Sequence, residues 1–158
     1  MRSRIRISPI PLSSSSALES AGLLVVKFSW GEDYPVTPIS EIRAAEFCVG
    51  AWVGQMLVGF AAVSRNASPD GLNTGDLWLG YAVVVPKYRN RGIFRRLYRE
   101  CLSYIKGQSG RIFCCTDNPI MIGFLIRHGW QFHRTTHDDS GAGCIVFEYP
   151  RGFAQRGQ

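Results

Sequence analysis

The segment from Tyr81 to Glu100, YAVVVPKYRNRGIFRRLYRE, has the residue types and spacing needed to bind a phosphate group. An apolar run breaks at Pro86, which cannot donate to a β-ladder, and a basic turn containing Gly92 follows. An amphipathic helix then begins, and its first N–H groups have no intrahelical acceptors. Because those N–H groups and the helix dipole favour an anion, the segment predicts a strand, an anion-binding turn and a helix.

The rest of the chain alternates between strands and helices that would hold this turn in place. Residues 93–106 carry an apolar stripe at helical spacing, and Gly107 ends that helix. Gly54 and Gln55 separate two strand-like runs and predict a hairpin, while Asn118 suits a helix N-cap. The predicted strands are residues 5–10, 46–53, 56–64, 76–85, 111–116, 130–134 and 144–149, and the predicted helices are residues 11–28, 93–106 and 119–128, with a short helix after Pro38.

Two segments resemble the GNAT superfamily of N-acetyltransferases. Residues 84–94 follow the order V-x-P-x-Y-R-x-x-G-x-F, which is similar to the family's acetyl-CoA-binding segment R/Q-x-x-G-x-G/A after a V-x-P turn. Phe94 departs from that pattern, because the family usually has Gly or Ala there. Residues 118–130 resemble the family segment N-x-x-A-x-x-x-Y-x-x-x-G-F, with Met121 and Leu125 in place of the alanine and the tyrosine. The order of elements matches the family's layout over essentially the whole chain.

The resemblance implies an α/β (α+β) fold in which a mixed, mostly antiparallel central sheet is flanked by helices on both faces. It implies one acyltransferase domain over residues 1–158, with acetyl-CoA as co-substrate. The acetyl group would pass to an amine by direct attack in a ternary complex, with a small molecule or a peptide as acceptor. The cofactor-binding residues that the resemblance implies are Val83, Val84, Val85, Arg89, Asn90, Arg91, Gly92, Ile93, Phe94 and Asn118.

Acetyl transfer requires a neutral amine, and a lysine-like amine costs roughly 4 to 5 kcal/mol to deprotonate at pH 7. The family commonly places an acid on the strand before the turn, where Asp76 is the only carboxylate of the predicted strand and is therefore the candidate general base. Strict alternation would put Asp76 on one face with Trp78, and with residues 80, 82 and 84. Tyr34 and Tyr81 are candidate acids, because Leu125 occupies the place of the tyrosine that often protonates the departing thiolate.

The loop after the first predicted helix borders the acceptor pocket in the family. In this chain that loop, residues 30–40, combines two aromatic residues, two acids and two prolines. Carboxylates beside aromatic faces suit a cationic amine. The candidate acceptor-binding residues are Trp30, Glu32, Asp33 and Tyr34.

Charge and cysteine content bound the remaining possibilities. The 158-residue chain has a formal net charge of +6 and 46% hydrophobic residues, and no apolar run approaches the length of a membrane span. Its five cysteines form no C-x-x-C pair, so we expect core packing and a cytoplasmic setting. The Arg- and Ser-rich residues 1–20 fit either an edge strand leading into a helix or a targeting segment. Oligomeric state stays open, with a homodimer as one alternative.

Other functions remain as alternatives to acetyl transfer. The arginines of residues 89–99 could contact nucleic-acid phosphates, although standard nucleic-acid-binding signatures are missing. A GNAT-like domain that binds CoA without catalysis is a second alternative. We expect no metal site, because His128, His133 and His137 do not form a recognisable ligand set. Cys115 lies in an apolar run with no base at readable spacing, which disfavours a cysteine nucleophile.

Overall fold

A computed structural model describes residues 3–150, which fold around a seven-stranded sheet in the order β1-β2-β3-β4-β5-β7-β6. Within these residues every neighbouring strand pair is antiparallel except β4 with β5. The strands are β1 (Ile5–Pro9), β2 (Phe47–Val53), β3 (Met56–Ser64), β4 (Leu77–Val84), β5 (Ile112–Thr116), β6 (Gln131–His137) and β7 (Gly143–Glu148).

Helices cover both faces of the sheet. They are α1 (Ser15–Val25), α2 (Pro38–Arg43), α3 (Ile93–Lys106) and α4 (Pro119–Arg127). The apolar stripes of α3 and α4 pack on one face, where Leu97 and Leu125 are fully buried. Helices α1 and α2 pack on the other face through residues such as Leu18 and Ile42. This arrangement confirms the predicted fold class. In residues 3–150 no helix is both long and apolar enough to cross a membrane.

Two predicted elements have different bounds in the structure. The first helix starts at Ser15 because residues 11–14 form a turn, and it ends at Val25 where a π-helical turn, Val26–Trp30, begins. Strand β6 continues to His137, three residues beyond its predicted end at residue 134, because its ladder with β7 extends to the pair of His137 and Gly143. The π-helical turn carries Trp30 toward the site described below, and such turns often occur at functional sites.

A β-bulge at Tyr81 reverses the alternation of side chains along β4. Tyr81 has φ +56, and the residues paired with β3 step from Gly80 directly to Val83. Two residues of β4 therefore oppose one residue of β3. As a result Trp78 lies on the face opposite to Ala82 and Val84. The expectation that residues 76, 78, 80, 82 and 84 share one face is wrong, because the bulge inserts one residue into the period of two.

The parallel contact between β4 and β5 is short. Only Leu77–Leu79 pair with Ile112–Cys114, although β4 continues to Val84 and β5 continues to Thr116. Beyond the last pair the two strands diverge, and their facing backbone edges are left without a ladder. The sheet therefore contains a gap at its centre, between the ends of two strands that a packed core holds in place.

A buried hydrogen bond joins α3 to the segment after α4, and it supplies a first test of the fold. Trp130 donates from Nε1 to the hydroxyl oxygen of Tyr98 at 2.8 Å, with both residues buried. We expect Trp130→Phe to lower the free energy of unfolding by about 1–3 kcal/mol, because the Tyr98 hydroxyl loses its donor in the core. Urea unfolding measures the change. The double variant with Tyr98→Phe should lose less than the sum of the single variants, and full additivity would contradict this account.

Candidate active site

The gap between β4 and β5 opens into a cavity of about 800 Å³. Its walls come from the π-helical turn, the loop between β3 and β4, the end of β4, the start of α3, the end of β5 and the loop between β6 and β7. A volume of this size is typical of small-molecule and cofactor sites. The cavity reaches both faces of the sheet, so that one half lies beside α3 and α4 and the other beside α1 and α2.

The α3 half contains the predicted anion-binding turn. Asn90 and Gly92 have φ values of +63 and +74, and Gly92 is the N-cap of α3 with no side chain to cap the helix. Gly92, Ile93 and Phe94 line the cavity. The first amide groups of an α-helix have no intrahelical acceptors, so the turn presents backbone donors at the positive end of the helix dipole.

Phe94 does not block this turn. Its ring packs edge-on against Phe124, with 4.8 Å between ring centroids, and belongs to the apolar layer under α3. A phenyl side chain replaces the family's small residue without removing the N–H group of residue 94.

Arg89 does not present its amide to the cavity. The Arg89 N–H donates to the Pro86 carbonyl within a 3-10 turn, so the run of available amides starts at Asn90 and not at Arg89. The guanidinium donates from Nε to the Val84 carbonyl at 3.0 Å and from Nη2 to the Phe28 carbonyl at 3.5 Å. Arg89 therefore joins the end of β4 to the π-helical turn across one edge of the cavity.

The end of β4 offers one free backbone edge. The Val85 amide donates to Val58 on β3 at 2.8 Å, so it is committed to the ladder and Val85 does not line the cavity. Because successive N–H groups of a strand point to opposite sides, the Val84 N–H points toward the gap. Val83 and Val84 line the cavity.

Two more of the predicted cofactor-binding residues differ in their surroundings. The guanidinium of Arg91 lies over the ring of Tyr88 at 5.3 Å, and Arg91 does not line the cavity. Asn118 lines the cavity and caps α4, where its side-chain oxygen accepts from the amides of Ile120 and Met121. Asn118 is thus placed at the cavity wall by the start of α4.

An aromatic cluster lines the half beside α1 and α2. Trp30 lies 4.7 Å from Tyr34 and 5.6 Å from Tyr81, measured between ring centroids, and all three residues line the cavity. The bulge is what turns Tyr81 to this face. The structure therefore brings together three of the predicted residues, from a loop and a strand that are far apart in the sequence.

Glu41 is the residue that the sequence prediction missed. It lies on α2, lines the cavity and accepts a hydrogen bond at Oε2 from the Tyr81 hydroxyl at 2.9 Å. Burial raises the pKa of Glu41, the bond from Tyr81 lowers it, and the nearby charge of Asp139 raises it. Burial and the charge of Glu41 also raise the pKa of Tyr81 far above its ordinary value. An acid in the first turn of a short helix gave no sequence signal for this pairing.

The three acids that the sequence singled out lie outside the cavity wall. Asp76 precedes β4 and accepts from the Asn73 side chain at 3.3 Å, and it is not among the lining residues. Glu32 and Asp33 are exposed in the turn after Gly31, whose φ of +90 redirects the chain. Contrary to expectation, the structure therefore leaves the candidate base Asp76 outside the cavity and does not bring Glu32 and Asp33 to the aromatic cluster.

Acids from another loop take that place. Asp138 and Asp139, between β6 and β7, line the cavity on the side of the aromatic cluster. Burial, followed by the charge of Asp138, raises the pKa of Tyr34 to about 12. Tyr34 thus stays protonated at neutral pH beside a negatively charged wall.

Two cysteines and the histidines complete the surroundings. The Sγ atoms of Cys115 and Cys144 lie 2.8 Å apart at the cavity wall, and burial raises the pKa of each thiol. His128 stacks on Phe124, and His133 contacts Arg111. Over residues 3–150, no group of three or more His, Cys, Asp or Glu side chains is placed to hold a metal ion.

Comparisons with known proteins agree on one family. The model of the Acetyltransferase (GNAT) family matches residues 20–130. N-alpha-acetyltransferase RimI of Mycobacterium tuberculosis is 32% identical over 107 residues, with 66% of this chain and 66% of that protein covered.

Solved structures show the same fold. Escherichia coli ElaA has a TM-score of 0.71 and 16% identity, with 92% of this chain and 99% of that chain covered. Arabidopsis thaliana NAA60, in complex with a bisubstrate analogue, has a TM-score of 0.66 and 17% identity, covering 92% of this chain and 97% of that chain. The structural matches establish the arrangement of strands and helices.

The anion-binding turn can be tested with a matched pair of glycines. Gly92 and Gly129 both have positive φ, at +74 and +85, and an added Cβ would meet nothing within 4 Å at either position. Replacing each with Ala should cost about 1–2 kcal/mol of stability through backbone strain. Only Gly92→Ala should also weaken CoA binding, by about tenfold or more, because its methyl group lies beside the first amides of α3. Calorimetric titration with CoA measures the affinity of each variant. Equal affinity in both variants would contradict the cofactor-binding role that the resemblance implies for the turn at Gly92.

Proposed function

The chain belongs to the GNAT family of acetyltransferases, and on that premise we propose that it transfers an acetyl group from acetyl-CoA to an amine by direct attack in a ternary complex. Residues 1–158 would act as one GNAT-like acyltransferase domain. The observation that supports this best is the cavity itself. It joins the uncapped start of α3, which suits a phosphate, to the pair of Glu41 and Tyr81, which suits an amine.

Acetyl-CoA would occupy the half beside α3 and α4. Its pyrophosphate would accept hydrogen bonds from the backbone amides of residues 90–95. Its pantetheine arm would lie along the free edge of β4 at Val83 and Val84, with Asn118 on the opposite wall. Arginines at the cavity, including Arg95 and Arg127, add positive charge where the phosphate groups would lie.

The acceptor amine would enter from the half beside α1 and α2. In the proposed reaction its nitrogen lone pair attacks the thioester carbonyl carbon, and the Val84 N–H stabilises the oxygen that becomes negative. Glu41 takes a proton from the amine, since burial has made its carboxylate a stronger base. The C–S bond then breaks, and the CoA thiolate takes a proton from Tyr81, which regains one from the protonated Glu41 through their hydrogen bond, or from Tyr34, which regains one from solvent.

The walls of this half favour a cationic acceptor. Trp30, Tyr34 and Tyr81 present aromatic faces, and Glu41 and Asp138 contribute carboxylates. An ammonium group gains from both kinds of contact. The amine must still lose its proton before attack, which at pH 7 costs only about 1 kcal/mol for a peptide α-amine, against 4 to 5 kcal/mol for a lysine side chain. The likeness to an N-alpha-acetyltransferase supports a peptide α-amine as the first acceptor to test.

A thermal-shift and turnover panel tests the proposal. Acetyl-CoA and CoA should stabilise the protein, short nucleic acids should not, and the CoA effect should persist at the higher of two salt concentrations. Release of free CoA thiol should then depend on an amine, tested as peptide α-amines, peptide lysines and small polyamines. Stabilisation by nucleic acid alone would favour the basic-module alternative. Stabilisation by CoA without turnover on any amine would favour an inactive CoA-binding domain.

The role of Glu41 is tested by comparison with Asp76, which is a carboxylate outside the cavity. We expect Glu41→Gln to lower kcat by about 10²-fold or more at neutral pH, because no base then receives the amine proton. Asp76→Asn should leave kcat within about twofold of the parent, since Asp76 contacts Asn73 and not the cavity. Steady-state kinetics with acetyl-CoA saturating measure both. A larger loss in Asp76→Asn than in Glu41→Gln would instead restore Asp76 as the base.

The pH profile tests the pairing of Tyr81 with Glu41. Activity requires ionised Glu41, so kcat/KM should fall as pH drops through the pKa of that carboxyl group, which burial places above its ordinary value. The Tyr81 hydrogen bond lowers this pKa, so Tyr81→Phe should move the acidic limb to higher pH. Tyr104→Phe is a control, because that ring stacks on Phe47 away from the cavity. An unmoved limb in Tyr81→Phe would show that another group controls it.

A further inference from the structure

The loop between β3 and β4 forms one wall of the half of the cavity beside α1 and α2. Residues 66–69 line the cavity, and Ala67 packs against apolar clusters that include Tyr81 and Trp78. This loop lies on the side where the proposed acceptor would bind, and the anion-binding turn lies on the other face of the sheet. The position of this loop should therefore affect the binding of the acceptor more than the binding of acetyl-CoA.

Arg134 on β6 holds this loop from outside the cavity. Its guanidinium donates from Nε and Nη2 to both carboxylate oxygens of Asp70, at 2.9 and 2.8 Å. Nη1 donates to the side-chain oxygen of Asn73 at 2.8 Å, and Nη2 reaches the Leu72 carbonyl at 3.5 Å. One side chain thus contacts three residues of the loop, although Arg134 itself does not line the cavity.

The ion pair of Arg134 with Asp70 is shielded from water more than the others described for residues 3–150. Its side chains are 16% and 19% exposed, although the backbone around Asp70 is open, whereas each of the other described pairs has at least one side chain that is 40% exposed or more. Arg134 holds the pKa of the Asp70 carboxyl far below its usual range. The pair therefore stays ionised at every pH above about 4, and it is lost only as pH falls below the ordinary Asp value.

The same loop also orients Trp78. The Asn73 carbonyl accepts from Trp78 Nε1 at 3.1 Å, and the Arg134 guanidinium carbon lies 6.0 Å from the Trp78 ring. Trp78 lines the cavity. Arg134 is thereby connected to the wall by two routes, through the loop backbone and through the tryptophan ring.

We infer that Arg134 is a positioning residue, which fixes residues 66–69 and Trp78 as the acceptor-side wall and so determines how well the acceptor binds. The inference rests on the proposed function. A guanidinium that satisfies Asp70, Asn73 and Leu72 together can be replaced only in part by an ammonium, which keeps the charge but lacks the planar set of donors. Loss of these Arg134 contacts should therefore loosen the acceptor-side wall and leave the half of the cavity that would bind acetyl-CoA intact.

Substitutions at Arg134 and a matched control test this directly. Arg134→Met should raise the acceptor KM by about tenfold, with the Kd for acetyl-CoA within twofold of the parent. Arg134→Lys, which keeps the charge, should give a smaller increase. Arg111→Met is the control, because Arg111 makes a similar two-point pair with Glu148. Arg111 and Arg134 both contact His133, so an effect that is transmitted through the His133 ring would appear in both variants.

Hydrogen exchange supplies a readout that does not depend on turnover. In Arg134→Met and in Asp70→Asn, amides of residues 66–75 should lose protection, while those of α3 should not. An unchanged acceptor KM in a folded Arg134→Met protein would overturn the inference, as would an equal loss of acetyl-CoA affinity. If the parent acetylates no amine, the proposed function fails on its own. The positioning role of Arg134 is then judged by hydrogen exchange alone, and undiminished protection of residues 66–75 in these variants would reject that role.

Discussion

The structure depends on one constraint, the early end of the parallel ladder between β4 and β5. Backbone N–H and C=O groups at the centre of a sheet must find partners, and beyond Leu79 those of β4 have none on β5. One of these groups finds a partner within the chain, because the Arg89 guanidinium donates a hydrogen bond to the Val84 carbonyl. The N–H group of Val84 is left facing a cavity, where a ligand can accept from it. A pantetheine arm carries amide groups of the kind that a free strand edge binds.

The charged groups that line the cavity are distributed unevenly, and this distribution suits the two oppositely charged substrates that we propose. Backbone amides, Arg95 and Arg127 lie at the half beside α3, whereas Glu41, Asp138 and Asp139 lie in the half beside α1 and α2. The positive side is formed at the N-terminus of α3. The carboxylates on the negative side come from the short helix α2 and from the loop between β6 and β7. An anionic thioester and a cationic amine would therefore bind in separate halves, with the gap in the sheet as the place where they meet.

Sequence predicted the elements well because local spacing determines them. The hairpin at Gly54, the turn at Gly92 and the N-cap at Asn118 each follow from residue types a few positions apart. Glu41 could not be found in this way, because its partner Tyr81 is 40 positions away in the chain. The bulge was equally hidden, since it places a tyrosine at φ +56, which residue preferences argue against. Both misses concern the pairing of distant segments, and both fall at the proposed site.

Tyr81, at positive φ, supplies a phenol to the proposed site, whereas α4 supplies none at the position of the family's tyrosine. Leu125 occupies the place of the family's tyrosine and is fully buried, so α4 brings no phenol to the cavity from that position. Positive φ at a non-glycine residue costs free energy, which the surrounding sheet must supply. At Tyr81 that strain turns a phenol into the half of the cavity beside Glu41. A regular β4 would have left Tyr81 on the face of α3 and the half-buried Glu41 without its hydrogen-bond donor, so the bulge is what provides the proposed proton-transfer pair.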